Sequence, residues 1–267
     1  MIRECCALIL LSAALAAAGD GGLEKTPDLI RWRSDSAIFP EHWTRAPFHA
    51  RAAPVEEAQK ERARRQIRKA LAKYPPELVE RTLRQVFVLG RMSFYDGVEY
   101  SGTASQHTLY LVIRDPAEGF SEEFIESNFH HEYSTLLLNR HLDNFDQDAW
   151  QSANPEGFRY LGGNSWSAAQ GKDGGALAIE QGRISLERAG RDTLRQGFLS
   201  EYSMSSIEND FNLYAAALFV DGPELARLAE RYPAIARKRE IAIRFYSALH
   251  PALDKHYFNP ETAVEPK

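Results

Sequence analysis

Cysteine is nearly absent from this chain. Its two cysteines, Cys5 and Cys6, lie in an N-terminal segment with the make-up of a secretory signal. Arg3 gives a short positive start, Cys5 to Leu15 is apolar apart from Ser12, and Ala16-Ala17-Ala18 offers a small-residue cleavage site before Gly19. The expectation is a signal peptide at 1–18, cleaved after Ala18, and a secreted or periplasmic protein. Because both cysteines precede the apolar run, they do not form a lipoprotein acylation site. A mature chain without cysteine has no disulfide, no thiolate metal site and no cysteine nucleophile.

Other absences narrow the function further. The formal net charge is -5 and no basic block is present, which argues against nucleic acid as the main partner. The one basic run, Lys60 to Lys69, is interrupted by Glu61, Ala63 and Ile67 and reads as the solvated face of a helix. No segment after the signal is long and apolar enough to span a bilayer, so no transmembrane segment is expected in the mature chain. Gly171-Lys172-Asp173-Gly174-Gly175 lacks the spacing of a phosphate loop, and Ser200, Ser203, Ser205 and Ser206 are not framed by a nucleophile elbow. Asp143, Asp146 and Asp148 alternate like the opening of a calcium loop, but no glycine or closing glutamate follows, and a solvated loop is expected there.

What is present is enough apolar sequence, 44% of the residues, to bury a substantial core. Residues 19–54, with Trp32, Phe39, Trp43 and Phe48 but no sustained period, read as an extended lead-in pinned by its aromatics. Residues 55–267 read as one globular domain. Helices are expected from Pro54 to Lys73, from Pro76 to about Arg84, from Ser121 to Leu138 or Asn139, from Ile207 to Val220, and in two closing stretches beginning at Pro223 and Ala234. Gln85 to Leu89 and Thr108 to Ile113 read as strands, with turn signals at Asp96-Gly97 and Ser101-Gly102. This pattern predicts an α+β fold, mainly helical, with a small antiparallel sheet. Asn154 to Asp173, rich in glycine, asparagine and serine, reads as a long loop carrying Trp166; Trp150, Phe158, Tyr160 and Trp166 either stack on a sugar or peptide or, the favoured reading, pack the loop down.

The chemistry concentrates at Phe129-His130-His131-Glu132-Tyr133-Ser134-Thr135. A zinc peptidase helix supplies two histidines four residues apart, because only i and i+4 bring two imidazoles to one ion from one face. The glutamate after the first histidine takes a proton from metal-bound water. Here His131 and Glu132 are in place, and Thr135 stands where the second histidine belongs. Alone, a His-Glu dipeptide favours an ordinary surface or core histidine over a metal ligand. The strand pair, this helix, Gly197-Phe198 with Tyr202, and Glu208-Asn209-Asp210-Phe211 together resemble the exported bacterial zinc-binding metallopeptidases. These in turn resemble the gluzincins, a group that includes the anthrax lethal factor catalytic domain.

The resemblance covers roughly residues 80–220. It implies a zincin-like fold whose edge strand holds a peptide or protein substrate, with the sheet packed on the active-site helix. It also implies zinc as cofactor, His131 as a ligand, Glu132 as the catalytic base and Tyr202 as the group that stabilises the oxyanion. The third ligand has no fixed register: Glu208, Asn209 and Asp210 are all in range. A carboxylate-rich site of His131, Glu208 and Asp210, with His130 as a further donor, is one arrangement. A solvated first helical turn, capped by Ser205 or Ser206, is the other. Consecutive helical residues point about 100° apart, which sets His130 against sharing an ion with His131. Three functions follow from these expectations: a metal-dependent peptidase, a non-catalytic exported protein that binds peptide or glycan in the same cleft, and a structural envelope protein.

Overall fold

A computed structural model describes residues 28–162 and 189–259 of the chain. The expected signal at 1–18, Trp166 and the stretch 171–175 lie outside them.

The helices begin where capping chemistry starts them. Helix α1 (Glu57–Leu71) and helix α2 (Pro76–Thr82) are separated by Tyr74-Pro75, with Pro76 in the first turn of α2. Helix α3 (Glu122–Arg140) is capped by Ser121, whose hydroxyl accepts from the Phe124 N–H at 3.1 Å, and Glu122 and Glu123 face the positive end of its dipole. Helix α4 (Gln147–Ser152) starts at Asp146, which accepts from the Ala149 N–H at 3.0 Å. One of the aspartates expected in a solvated loop is therefore a helix cap, and Trp150 behind it is fully buried. After α5 (Arg191–Arg195), helix α6 (Ile207–Val220) is capped by Ser206 through the Asn209 N–H at 3.0 Å. Helices α7 (Gly222–Arg231) and α8 (Pro233–Leu249) close the described chain, each with proline in its first turn.

Six strands form one sheet: β1 (Ile30–Arg31), β2 (Arg51–Pro54), β3 (Gln85–Phe94), β4 (Val98–Glu99), β5 (Gly102–Ser105) and β6 (Thr108–Val112). The path is β1-β3-β6-β5, with β2 and β4 also paired to β3. The fold is α+β and mainly helical, as expected, but the sheet is mixed and not purely antiparallel. β3 runs parallel to β6, with Val86 opposite Leu109, and parallel to β1. The cause is an even number of reversals. The chain turns back at Tyr95-Asp96-Gly97 and again at Gln106-His107, so β6 recovers the direction of β3.

The lead-in also contributes more than an extended strap, since it supplies β1 and β2. Its Phe39 and Trp43 cover one sheet face, with ring contacts of 5.2 Å to Tyr110 and 5.4 Å to Phe94 respectively. Alternation along the strands sends Val86, Val88, Leu109 and Leu111 into the main core. Phe87, Leu89, Tyr110 and Val112 enter a second core under the lead-in. Burial on both faces explains the unbroken apolar run in β6. Among the described residues no helix is long and apolar enough to cross a membrane.

β5 lies at the edge of the sheet, alongside α3. The Val112 N–H donates to the Ser101 carbonyl at 2.8 Å, and antiparallel alternation then places the N–H and C=O groups of Gly102 and Ala104 on the side away from β6. The Asn128 side chain donates to the same Ser101 carbonyl at 2.9 Å, tying the start of β5 to α3.

Candidate active-site cleft

Helix α3 is buried on most of its circumference, so its polar residues meet three different surroundings. His130 turns toward α1 and α2. Its ring is fully buried, bonds through Nδ1 to the Tyr74 hydroxyl at 2.8 Å and stacks on Phe219 at 4.8 Å between centroids. His131, about 100° round the helix, faces a cleft beside the first turn of α6. Glu132, a further step round, faces β5. The inclusion of His130 among the ligands of one ion with His131 is corrected by this geometry: the two imidazoles leave the helix in different directions.

The cleft has a volume of about 580 Å³ and is lined by His131, Glu132 and Tyr202, by Tyr100-Ser101-Gly102 of the sheet, and by an apolar stretch ending at Phe120 and Phe124. Gly102 is needed there for space. A methyl group added at its Cα would lie 2.6 Å from Glu132 Cγ and 2.7 Å from Glu132 Oε1. Gly102→Ala is therefore expected to push Glu132 out of its position and to cost about 1–3 kcal/mol of stability. Urea unfolding measures this, and an unchanged midpoint would show that the side chain yields freely.

Two hydrogen-bond chains organise the cleft floor. In the first, His131 bonds the side chain of Asn209, whose Nδ2 donates to Ser205 Oγ at 2.8 Å, and Ser205 Oγ donates to the Tyr202 carbonyl at 2.7 Å. The rings of His131 and Tyr202 lie 5.9 Å apart. In the second, the buried Asn212 donates to Thr135 Oγ1 at 2.6 Å, and the Thr135 hydroxyl in turn bonds the Glu208 carboxylate. The Asn212 carbonyl takes the hydroxyl of Ser134. Thr135 is thus committed on both sides.

Burial sets the electrostatics of the cleft. Burial pushes the Glu132 carboxyl up to about 8, with the charge of Glu208 adding to the rise. Glu208 is pushed up to about 7 by burial, against which the Thr135 hydroxyl acts. Burial holds His131 down at about 4, so it is a neutral imidazole near pH 7. Burial, followed by the charge of Glu132, raises the Tyr202 phenol well above its ordinary range and keeps it a hydrogen-bond donor.

Asp210 belongs elsewhere. Its Oδ2 accepts from Lys238 Nζ at 2.7 Å, Tyr160 OH at 2.6 Å and Trp150 Nε1 at 2.9 Å, all in the interior behind α6. The grouping of Asp210 with His131 and Glu208 around one ion is corrected accordingly: the carboxylate is engaged by a lysine on α8. Trp150 and Tyr160 pack the chain down, as expected. Of the residues singled out in the sequence, His131, Glu132, Tyr202 and Glu208 come together, and His130 and Asp210 do not. Asn212 and Gly102 escaped sequence reasoning as site residues. The signal for Asn212 was a lone amide among the apolar positions of α6.

Catalytic zinc takes three protein donors and a water in a tetrahedral arrangement. This cleft offers one imidazole and the Glu208 carboxylate, and at the position of a second imidazole it has a neutral hydroxyl already bonded twice. Among the described residues, no three histidine, cysteine, aspartate or glutamate side chains are grouped to hold an ion. The donor set that the described residues supply does not fit a catalytic zinc.

No family model matches the chain, and no curated protein matches it. Among solved structures, it is similar to a protein of Bacteroides caccae ATCC 43185 described as a putative zinc-binding metallo-peptidase. The identity is 12%, over 80% of this chain and 82% of that one, with a TM-score of 0.38. A likeness that loose fixes neither fold nor chemistry.

Proposed function

We propose that this chain is an exported protein built on a metallopeptidase plan, which binds an extended peptide against β5 without a resident zinc. The observation that carries this is the seating of Glu132 against Gly102, which brings the edge strand and the His131-Glu132-Tyr202 group into one cleft. A peptide laid along β5 would pair with the outward N–H and C=O groups of Gly102 and Ala104 and send alternate side chains toward Phe120 and Phe124. His131 and Tyr202 would then serve as hydrogen-bonding groups on the cleft wall. Cleavage after Ala18 is part of the same proposal, and the mass of the exported chain checks it.

The test is peptide binding in EDTA, followed by fluorescence anisotropy, with Ala104→Pro as the variant. Proline there removes an outward N–H but no bond to β6, so the fold should persist while affinity falls at least about tenfold. Equal affinity in the variant would count against pairing with β5.

Retention of Glu132 and Tyr202 across from Glu208 favours a second reading, a hydrolase that needs a metal. The two readings part at position 135. If Thr135 stands in for the missing ligand, Thr135→His is expected to tighten zinc binding at least about tenfold, because His131, the introduced imidazole and Glu208 would then complete three donors. An unchanged zinc affinity in that variant would mean that Glu208 is not in ligand register.

A further inference from the structure

We propose that Glu132 and Glu208 together receive the ammonium group of a peptide ligand, either its N-terminus or a lysine side chain. This rests on the peptide-binding reading above and adds the chemistry that the ligand must carry.

Two other interior carboxylates of the chain are each paired with lysine. Glu126, with a side chain 3% exposed, is paired with Lys69 at 2.7 Å and Lys73 at 2.5 Å. Asp210, fully buried, is paired with Lys238 at 2.7 Å. Burying a carboxylate without a cation is costly, and in both places the sequence supplies lysine. Glu132 breaks the pattern. It is 8% exposed, lines the cleft, and has neither ion pair nor hydrogen bond among the described residues. Glu208, close enough to interact with it electrostatically, has among the described residues the Thr135 hydroxyl as its side-chain partner.

The arginines that line the cleft, Arg91 and Arg114, are already matched with Glu99 and Glu118. Among the described residues, the cleft therefore has an acidic end at Glu132, with Glu208 beside it and no cation paired to either, and an apolar end at Phe120 and Phe124. An alkylammonium has three N–H donors. Two carboxylates and the Tyr202 oxygen give it three acceptors, and its charge would balance a carboxylate's. The rest of an apolar peptide extends along the other end.

Isothermal titration in EDTA with three tetrapeptide amides tests this: one with a free N-terminus and no lysine, the same peptide acetylated, and an acetylated peptide containing one lysine. At least one ammonium-bearing peptide is expected to bind about tenfold or more tighter than the acetylated, lysine-free one, and the arm that does so names the source. Glu208→Gln, checked for folding by circular dichroism, is expected to erase that difference. Equal affinity for all three peptides would overturn the ammonium inference and leave peptide binding standing. Binding by none of them would overturn the peptide reading and the inference with it. Binding that appears only when zinc replaces EDTA would assign the two carboxylates to a metal instead and overturn the inference.

Discussion

Lys238→Met is expected to destabilise the protein by about 3–5 kcal/mol, the usual cost of leaving a buried charge without its partner. Lys238 is fully buried on α8. Its ammonium donates to Asp210 at 2.7 Å and to the Gly197 carbonyl at 3.0 Å, and it lies 4.0 Å from the centre of the Phe198 ring. Burial pushes Lys238 down and Asp210 up, and each holds the other charged. Methionine fills the space but strands the carboxylate, to which Trp150 and Tyr160 still donate. The double variant Lys238→Met with Asp210→Leu removes the stranded charge and is expected to recover part of the loss. Urea unfolding of the three proteins measures this. A loss below about 1 kcal/mol in the single variant would mean that water reaches Asp210. Because Asp210 sits in the first turn of α6, the same pair anchors the turn that presents Glu208 and Asn209 to the cleft.

Glu132→Gln is expected to stabilise the protein, increasingly so as pH rises. The folded-state carboxyl titrates at about 8, above the ordinary 4.5. Between those values the unfolded chain has released a proton that the folded chain retains, so Glu132 subtracts stability as pH increases through this window. Glutamine does not titrate. The variant should therefore match the wild type near pH 4.5 and exceed it by a few kcal/mol near pH 8. Unfolding midpoints at pH 5 and pH 8 decide the matter: a substitution effect that is the same at both would mean that Glu132 is not held neutral. A carboxyl held at such a cost is what the proposed role in binding an ammonium group requires.

The helices were legible in the sequence because their signals are local. Ser121, Pro76, Ser206 and Pro223 each fix a boundary within one turn of the chain. The sheet was legible only in part. β3 and β6 announce themselves by β-branched and aromatic runs, but their parallel direction depends on two reversals, and only that at Asp96-Gly97 carries a strong turn signal. β1 and β2 come from a stretch without period, where pairing with β3 and aromatic packing override weak local preference.

In the cleft, the helical step of 100° was enough to separate His130 from His131. Nothing local could show that Asp210 is matched by Lys238 on a different helix, or that Thr135 is held by Asn212 77 positions later. Those contacts are set by the packing of α3, α6 and α8, and they tie Thr135, Asn212 and Glu208 into one hydrogen-bond network.

We propose that this network stands where the resemblance implies a metal. Titration of zinc into the untagged, metal-stripped chain, with His131→Ala as control, tests it directly. The account predicts no one-to-one binding at about 10 μM free zinc and no difference between the two proteins. A stoichiometric isotherm in the wild type that His131→Ala abolishes would contradict it.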